Sequence, residues 1–312
     1  MPPNLASSLA VPTQTAESTL ADVPRAGGPP LPAPAERELE TLVIEPRKGY
    51  RGIDWQEMWR YRELLYFLVW RDVKVKYKMA VLGFAWALAV PVLQTLVYGV
   101  FGRFAGLSDE VQAPYFLYML AGLLPWIYLQ RSISDGGLSL VNQQALMSKI
   151  YLPRLFIPAT SAGGGLVDMA ISFAVFLALA GWYVARGEFV PSWQALAVIP
   201  LLVLTVIAAV GTAFLLSALT VLYRDLRFLI PFITQFGLWL SGVPFPPSIF
   251  GRWQSLMALN PYAGIVSGWR SALVGEPWRP QLLVGSLILC PLLLLVGVWY
   301  FRRVERRFAD IA

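Results

Sequence analysis

Between Met79 and Phe101 the chain carries no formal charge, while the segment just before it holds Arg71, Lys74, Lys76 and Lys78. An α-helix needs about 20 consecutive apolar residues to cross the hydrocarbon core. Backbone in that core must satisfy its polar groups internally, which leaves helices and closed barrels. Uncharged runs of this length recur along the 312 residues, 57% of which are hydrophobic and 14% charged. A soluble domain carries about 25% charged residues. The sequence therefore predicts an all-α integral membrane protein.

The pattern predicts six transmembrane helices, over residues 81–101, 115–138, 158–184, 196–223, 228–243 and 282–301. The fifth run is short, because about 16 helical residues reach only about 24 Å against a hydrocarbon core of roughly 30 Å. Pro244, Pro246 and Pro247 end it. Residues 244–275 then read as re-entrant or outer helices, since irregular backbone at membrane depth survives only against protein or water. Lys and Arg number eleven before the first span, two around Lys149, two around Arg224 and four in the C-terminal segment. The opposite side has five: Arg103, Arg186, Arg252, Arg270 and Arg279. The positive-inside rule then puts both ends of the chain in the cytoplasm of a multi-pass protein.

Residues 1–46 are rich in Pro, Ala, Ser and Thr and read as a disordered cytoplasmic tail. The opening Met-Pro-Pro-Asn lacks the basic and apolar regions of a signal peptide. Residues 47–80 form a second region. Asp54 and Glu57 have the spacing of a capping box. Trp55, Met58, Trp59, Leu65, Val69 and Val73 then recur at helical spacing, with Arg71, Lys74 and Lys78 on another face. This predicts an amphipathic helix lying on the inner membrane surface. Residues 81–312 are the six-span domain.

The net charge of +6 gathers beside the spans, where topology signals and lipid headgroups place it, and does not point to nucleic acid. His is absent and Cys290 is the one cysteine. That leaves no disulfide and almost no soft-metal or Cys/His chemistry, so no metal site is expected. No phosphate-binding loop is present. Gly163-Gly-Gly165 lies within an apolar run with no Lys-Ser/Thr after it, and reads as close helix packing. The chain is expected to have no catalytic site and no cofactor of its own. Active transport would draw on a partner ATPase or on an ion gradient, for which Asp168 and the Arg131/Asp135 pair are the candidate carriers. That pair, four residues apart, faces either a cavity or itself. Tyr98, Phe101, Phe104, Tyr115 and Trp126 sit among many aromatics in the first two spans. They read either as interfacial belt residues or as a channel lining on which sugar rings slide.

Four stretches carry a family resemblance: residues 68–86, Met147-Ser-Lys-Ile-Tyr-Leu-Pro-Arg154 with its continuation to Pro158, Leu222-Tyr-Arg-Asp-Leu-Arg227, and Leu259-Asn-Pro-Tyr262. Together with Glu305-Arg-Arg-Phe-Ala-Asp310, they make residues 50–312 resemble the permease subunit of ABC-2 type exporters of O-antigen, capsular polysaccharide or teichoic acid. The resemblance implies a homodimer in the bacterial inner membrane with two cytoplasmic ABC ATPase subunits, which hold the ATP and Mg. The substrate would be a polysaccharide on a polyprenyl diphosphate lipid. Met147, Ser148, Lys149, Ile150, Tyr151, Leu152, Pro153 and Arg154 would couple to the ATPase. Arg71, Lys74 and Lys78 would meet the lipid diphosphate at a gate, or else ordinary anionic lipid. Asn260, Pro261, Tyr262, Trp269 and Arg270 would shape the outer mouth. A multidrug or lipid permease of the same fold and a membrane transferase acting on polyprenyl-linked sugars are the alternatives. The transferase would need a cluster of acidic or His residues near one interface, and the sequence offers none.

Overall fold

The computed structural model describes residues 59–78, 81–144, 153–247, 249, 251 and 254–305. All of these fall in the compact unit Ile53–Ala312. Its helices are α1 (Arg62–Lys78), α2 (Val81–Phe104), α3 (Tyr115–Asn142), α4 (Phe156–Ala185), α5 (Val198–Leu222), α6 (Leu226–Leu240), α7 (Pro261–Val274) and α8 (Pro280–Glu305). Short 3-10 turns at Leu107–Glu110 and Trp193–Ala197 and one α-turn at Gln254–Met257 complete the order. No strand occurs among the described residues.

Among the described residues, four helical stretches are long and apolar enough to cross a membrane: Ala85–Phe104, Phe156–Ala185, Trp193–Leu222 and Pro280–Glu305. The other two predicted spans fall short of that standard for different reasons. With 28 residues, α3 is long enough, about 42 Å. It is less apolar because protein rather than lipid surrounds it, packing as it does on α2, α4, α5, α6 and α7. Leu117, Met119, Leu123, Leu124, Trp126, Tyr128 and Leu129 of α3 are fully buried and form the centre of the main core. A helix sheathed by other helices can carry Gly, Ser, Arg and Asp that a lipid-facing helix cannot. By contrast α6 is apolar but has only 15 residues, about 22 Å. It turns a face of Ile230, Thr234 and Leu238 inward and leaves Phe228, Phe232, Phe236 and Leu240 outside.

Helix association in a membrane depends on packing, since lipid tails are as apolar as leucine. The α5–α8 crossing shows how this chain achieves it. A Cβ on Gly211 would sit 2.7 Å from the Leu294 backbone, and one on Gly297 would strike the Gly211 carbonyl oxygen. The two backbones therefore touch, and only glycine fits at either position.

Candidate functional site

The inward face of α1 decides where it lies. Leu68 and Val73 are buried, with Leu64 and Leu65 packed beside them. Leu68 shares a cluster with Leu140 near the end of α3, Phe156 at the start of α4, Phe214 and Ala218 of α5, and Phe301 of α8. Val69 fills a notch at Gly163, where an added Cβ would meet its Cγ2 at 2.7 Å. A Cβ on Gly165 would meet the Tyr128 ring at 2.9 Å. The glycine run thus lets α1 and α3 approach α4, as its apolar setting predicts. The outward face of α1 shows Tyr66, Phe67, Trp70 and Val75, with Trp59 exposed just before its start. Arg62 stacks over Trp59 at 4.5 Å and Lys74 over Trp70 at 5.3 Å. Exposed aromatics interleaved with cations suit a membrane–water boundary.

At the C-terminal end of α1 a polar cluster joins three helices. The Lys76 ammonium donates to Asp168 of α4 at 2.7 Å, and the Tyr77 hydroxyl donates to the same carboxylate. Arg131 of α3 also pairs with Asp168, and its Nε donates to Asp135 at 3.1 Å. Sequence reasoning placed Arg131 beside Asp135 from their spacing. It left Asp168 apart, because 33 residues of chain separate it from Asp135 and their meeting depends on the α3–α4 crossing. Exposure is graded across the group, with Asp168 at 12% and Arg131 at 18% but Lys76 at 42% and Asp135 at 55%. Burial pushes the Lys76 ammonium from 10.5 down to about 8, with the Arg131 guanidinium acting the same way and Asp135 opposing. A single open ion pair contributes roughly 0–1 kcal/mol. Asp168 matters more because one shielded carboxylate gathers three donors.

The residues implied for the gate are distributed unevenly. Arg71 is paired with its neighbour Asp72, by bonds of 2.7 and 3.0 Å. Lys74 is exposed over Trp70. The Lys78 side chain lies outside the described residues. So do residues 147–152 of the coupling stretch, leaving Pro153 and Arg154. The Arg154 Nη1 donates to the Glu305 carbonyl at 2.6 Å and ties the start of α4 to the end of α8.

Among the aromatics, Phe101 and Phe104 lie on the outer surface of the chain, whereas Tyr115 and Trp126 are buried. Tyr98 meets Trp239 edge-on at 6.2 Å. Trp126 meets Tyr262 in the same way.

Asn260, Pro261 and Tyr262 form a helix start. The Asn260 side chain accepts from the Tyr262 amide at 3.0 Å, and Pro261 occupies the first turn of α7. The Tyr262 hydroxyl bonds Thr212 of α5 at 2.7 Å, and Trp269 Nε1 donates to Thr205 at 3.2 Å. Arg270 is 2% exposed. Its guanidinium donates to the Gly242 carbonyl at 2.8 Å and to the Val243 carbonyl, and lies 3.9 Å from the centre of the Tyr118 ring. This one side chain holds the broken segment after α6 against α3. Among the described residues, no group of three or more His, Cys, Asp or Glu is placed to hold a metal ion.

The ABC-2 type transporter family profile matches residues 63–274. The match begins in α1 and ends with α7, so it takes in the Asp168 cluster and the Arg270 pin. An O-antigen export system permease protein RfbA from Myxococcus xanthus is 25% identical over 219 residues, covering 69% of this chain and 82% of its own. A protein of the same description from Klebsiella pneumoniae is 25% identical over 252 residues, 80% of this chain and 95% of its own.

Proposed function

The chain belongs to the ABC-2 type transporter family, and from that premise we propose that it is the permease subunit of an ATP-driven exporter of lipid-linked polysaccharide. The observation that carries the proposal is its alignment with O-antigen export permeases over nearly their whole length. The working unit is two copies of this chain and two copies of a cytoplasmic ATPase, which supplies the hydrolysis that this chain lacks. The chain crosses the inner membrane six times, α3 and α6 included, with both ends in the cytoplasm. Residues 147–154 dock on the ATPase. The bond from Arg154 to the end of α8 would pass a push on that loop to two helices at once. At the inner surface, Lys74 and Lys78 meet the lipid diphosphate, while Arg71 already shares its charge with Asp72. Phe101, Phe104 and the partly exposed Tyr98 contribute aromatic faces to the glycan path, with the buried Tyr115 and Trp126 packed behind them, and α7 with its cap closes the outer mouth.

The test is reconstitution. This chain and its ATPase are placed together in proteoliposomes with polyprenyl-diphosphate-linked glycan, and glycan is measured on the far side after ATP addition. Export that needs ATP and both subunits is expected. Export of unglycosylated lipid or drug at the same rate, or failure of the ATPase to copurify, would overturn the reading. Exchanging both charges, Lys149→Glu with Arg154→Glu, is expected to uncouple hydrolysis from export.

A further inference from the structure

A cavity of about 400 Å³ opens where α2 and α4 end and α3 begins. It lies at the opposite end of α4 from Arg154, about 45 Å along that 30-residue helix. Arg103, Gln112, Phe116, Trp182, Arg186 and Glu188 are among the residues that line it. Both arginines sit over rings, Arg103 at 5.2 Å from the Phe116 centre and Arg186 at 4.6 Å from the Trp182 centre. That stacking decides what the pocket can take. The ring faces that a neutral sugar would use are covered by guanidinium. Stacked guanidinium keeps its N–H edge free to donate, and that fork matches an oxyanion. Glu188 forms a loose ion pair with Arg186 at 3.9 Å, too long for a direct hydrogen bond, so it shares the Arg186 charge without occupying its N–H groups.

The start of α3 adds fixed donors at the same cavity. The N-cap of the 28-residue α3 is Pro114, and no side chain caps it. The first-turn amides of Tyr115, Phe116 and Leu117 therefore have no partner within the helix, at its positive end. The anion present at the end of a membrane span is the headgroup phosphate.

We propose that this pocket is a phosphate-binding site for a lipid headgroup, built from Arg103, Arg186 and the start of α3. The arginines hold the phosphate oxygens, the α3 amides add fixed donors, and Trp182 and Tyr183 lie along the acyl boundary. Glu188 disfavours a second anion.

The test uses the full chain in detergent, with native mass spectrometry counting bound phosphatidic acid and, separately, diacylglycerol of the same acyl chains, which has no phosphate. One phosphatidic acid per chain is expected to persist. The double variant Arg103→Gln, Arg186→Gln should hold it at least tenfold more weakly. Arg279→Gln, at the same end but outside the pocket, should hold it as the parent does. Addition of soluble glycerol 3-phosphate separates the sources. Displacement means that a free phosphate suffices, and retention means that the lipid is required. Equal retention by the double variant, or equal retention of the two lipids, would mean that the arginines serve only the helix ends. Because losing both arginines can unsettle two helices, a photoactivatable phosphatidic acid is also applied to the unmutated chain. Labelling is expected in residues 103–116 and 182–188, and labelling elsewhere would overturn the site. No ATPase takes part, so failure here leaves the export reading standing.

Discussion

Arg131 and Arg270 are both cations within the helical unit, and the chain holds them in different ways. Arg131 meets two carboxylates and is 18% exposed, in a cluster whose outer members are open. Arg270 meets two backbone carbonyls and an aromatic face and is 2% exposed. Ionic partners can be rehydrated as they separate, so a cluster like the first can open at modest cost. Backbone carbonyls buried behind a bulky side chain have no such alternative. The first arrangement suits a helix that must change its contacts, and the second suits a fixed turn. Asp168 ties down α1, whose outer face is aromatic and basic. Arg270 secures the break between α6 and α7.

Breaking the fixed side should cost most. Arg270→Ala strands the Gly242 and Val243 carbonyls and empties the space beside Tyr118, for a loss of roughly 3–5 kcal/mol. Thermal unfolding in detergent should show a large fall in Tm or no folded protein. Unchanged stability would mean that Arg270 is no pin.

Asp168→Asn removes the charge that gathers Lys76, Tyr77 and Arg131, at a cost of about 1–3 kcal/mol. Its effect should be local, with faster amide exchange across residues 62–78 and little change in α5 or α8. Uniformly faster exchange would place Asp168 with the fixed elements instead. Asn260→Ala should cost about 1 kcal/mol, as loss of a helix N-cap does, and should appear as fraying at the start of α7.

The smallest effect concerns Glu276, in the turn after α7. Burial raises its pKa above 4.5, against the pull of Arg270 and Arg279. The folded chain therefore holds that proton more tightly than the unfolded chain. Its contribution is complete below pH 4.5 and is lost as pH rises through the raised value. Glu276→Gln should flatten this part of the stability–pH curve and leave the curve above it slightly higher.

Much of this fold is written in hydropathy. All six predicted spans recur as helices within four residues at each end, as α2, α3, α4, α5, α6 and α8. What α3 lacks is not legible limits but apolarity, because a helix sheathed in protein is released from the demand that marks a lipid-facing span. Spacing alone showed Arg131 beside Asp135, and the apolar run around Gly163 showed close packing. The Asp168 cluster depends on a tertiary crossing and was not readable from local sequence, but one clue was present. Leu65, Val69 and Val73 step along α1 by four residues, and Tyr77 continues that row. The aromatic at the end of the apolar stripe pointed to the bundle rather than to water.

The docking of α1 on α4 is the claim on which the rest depends, and one cross-link tests it. A Cβ built on Gly163 lies 3.7 Å from the Val69 Cβ, within the range of disulfide geometry. In a Cys290→Ala background, Val69→Cys combined with Gly163→Cys should oxidise readily in native membranes. Adding Asp168→Asn should slow the reaction. No cross-link under catalysed oxidation, in a chain that remains folded, would contradict the placement of α1 and with it the gate assigned to its surface.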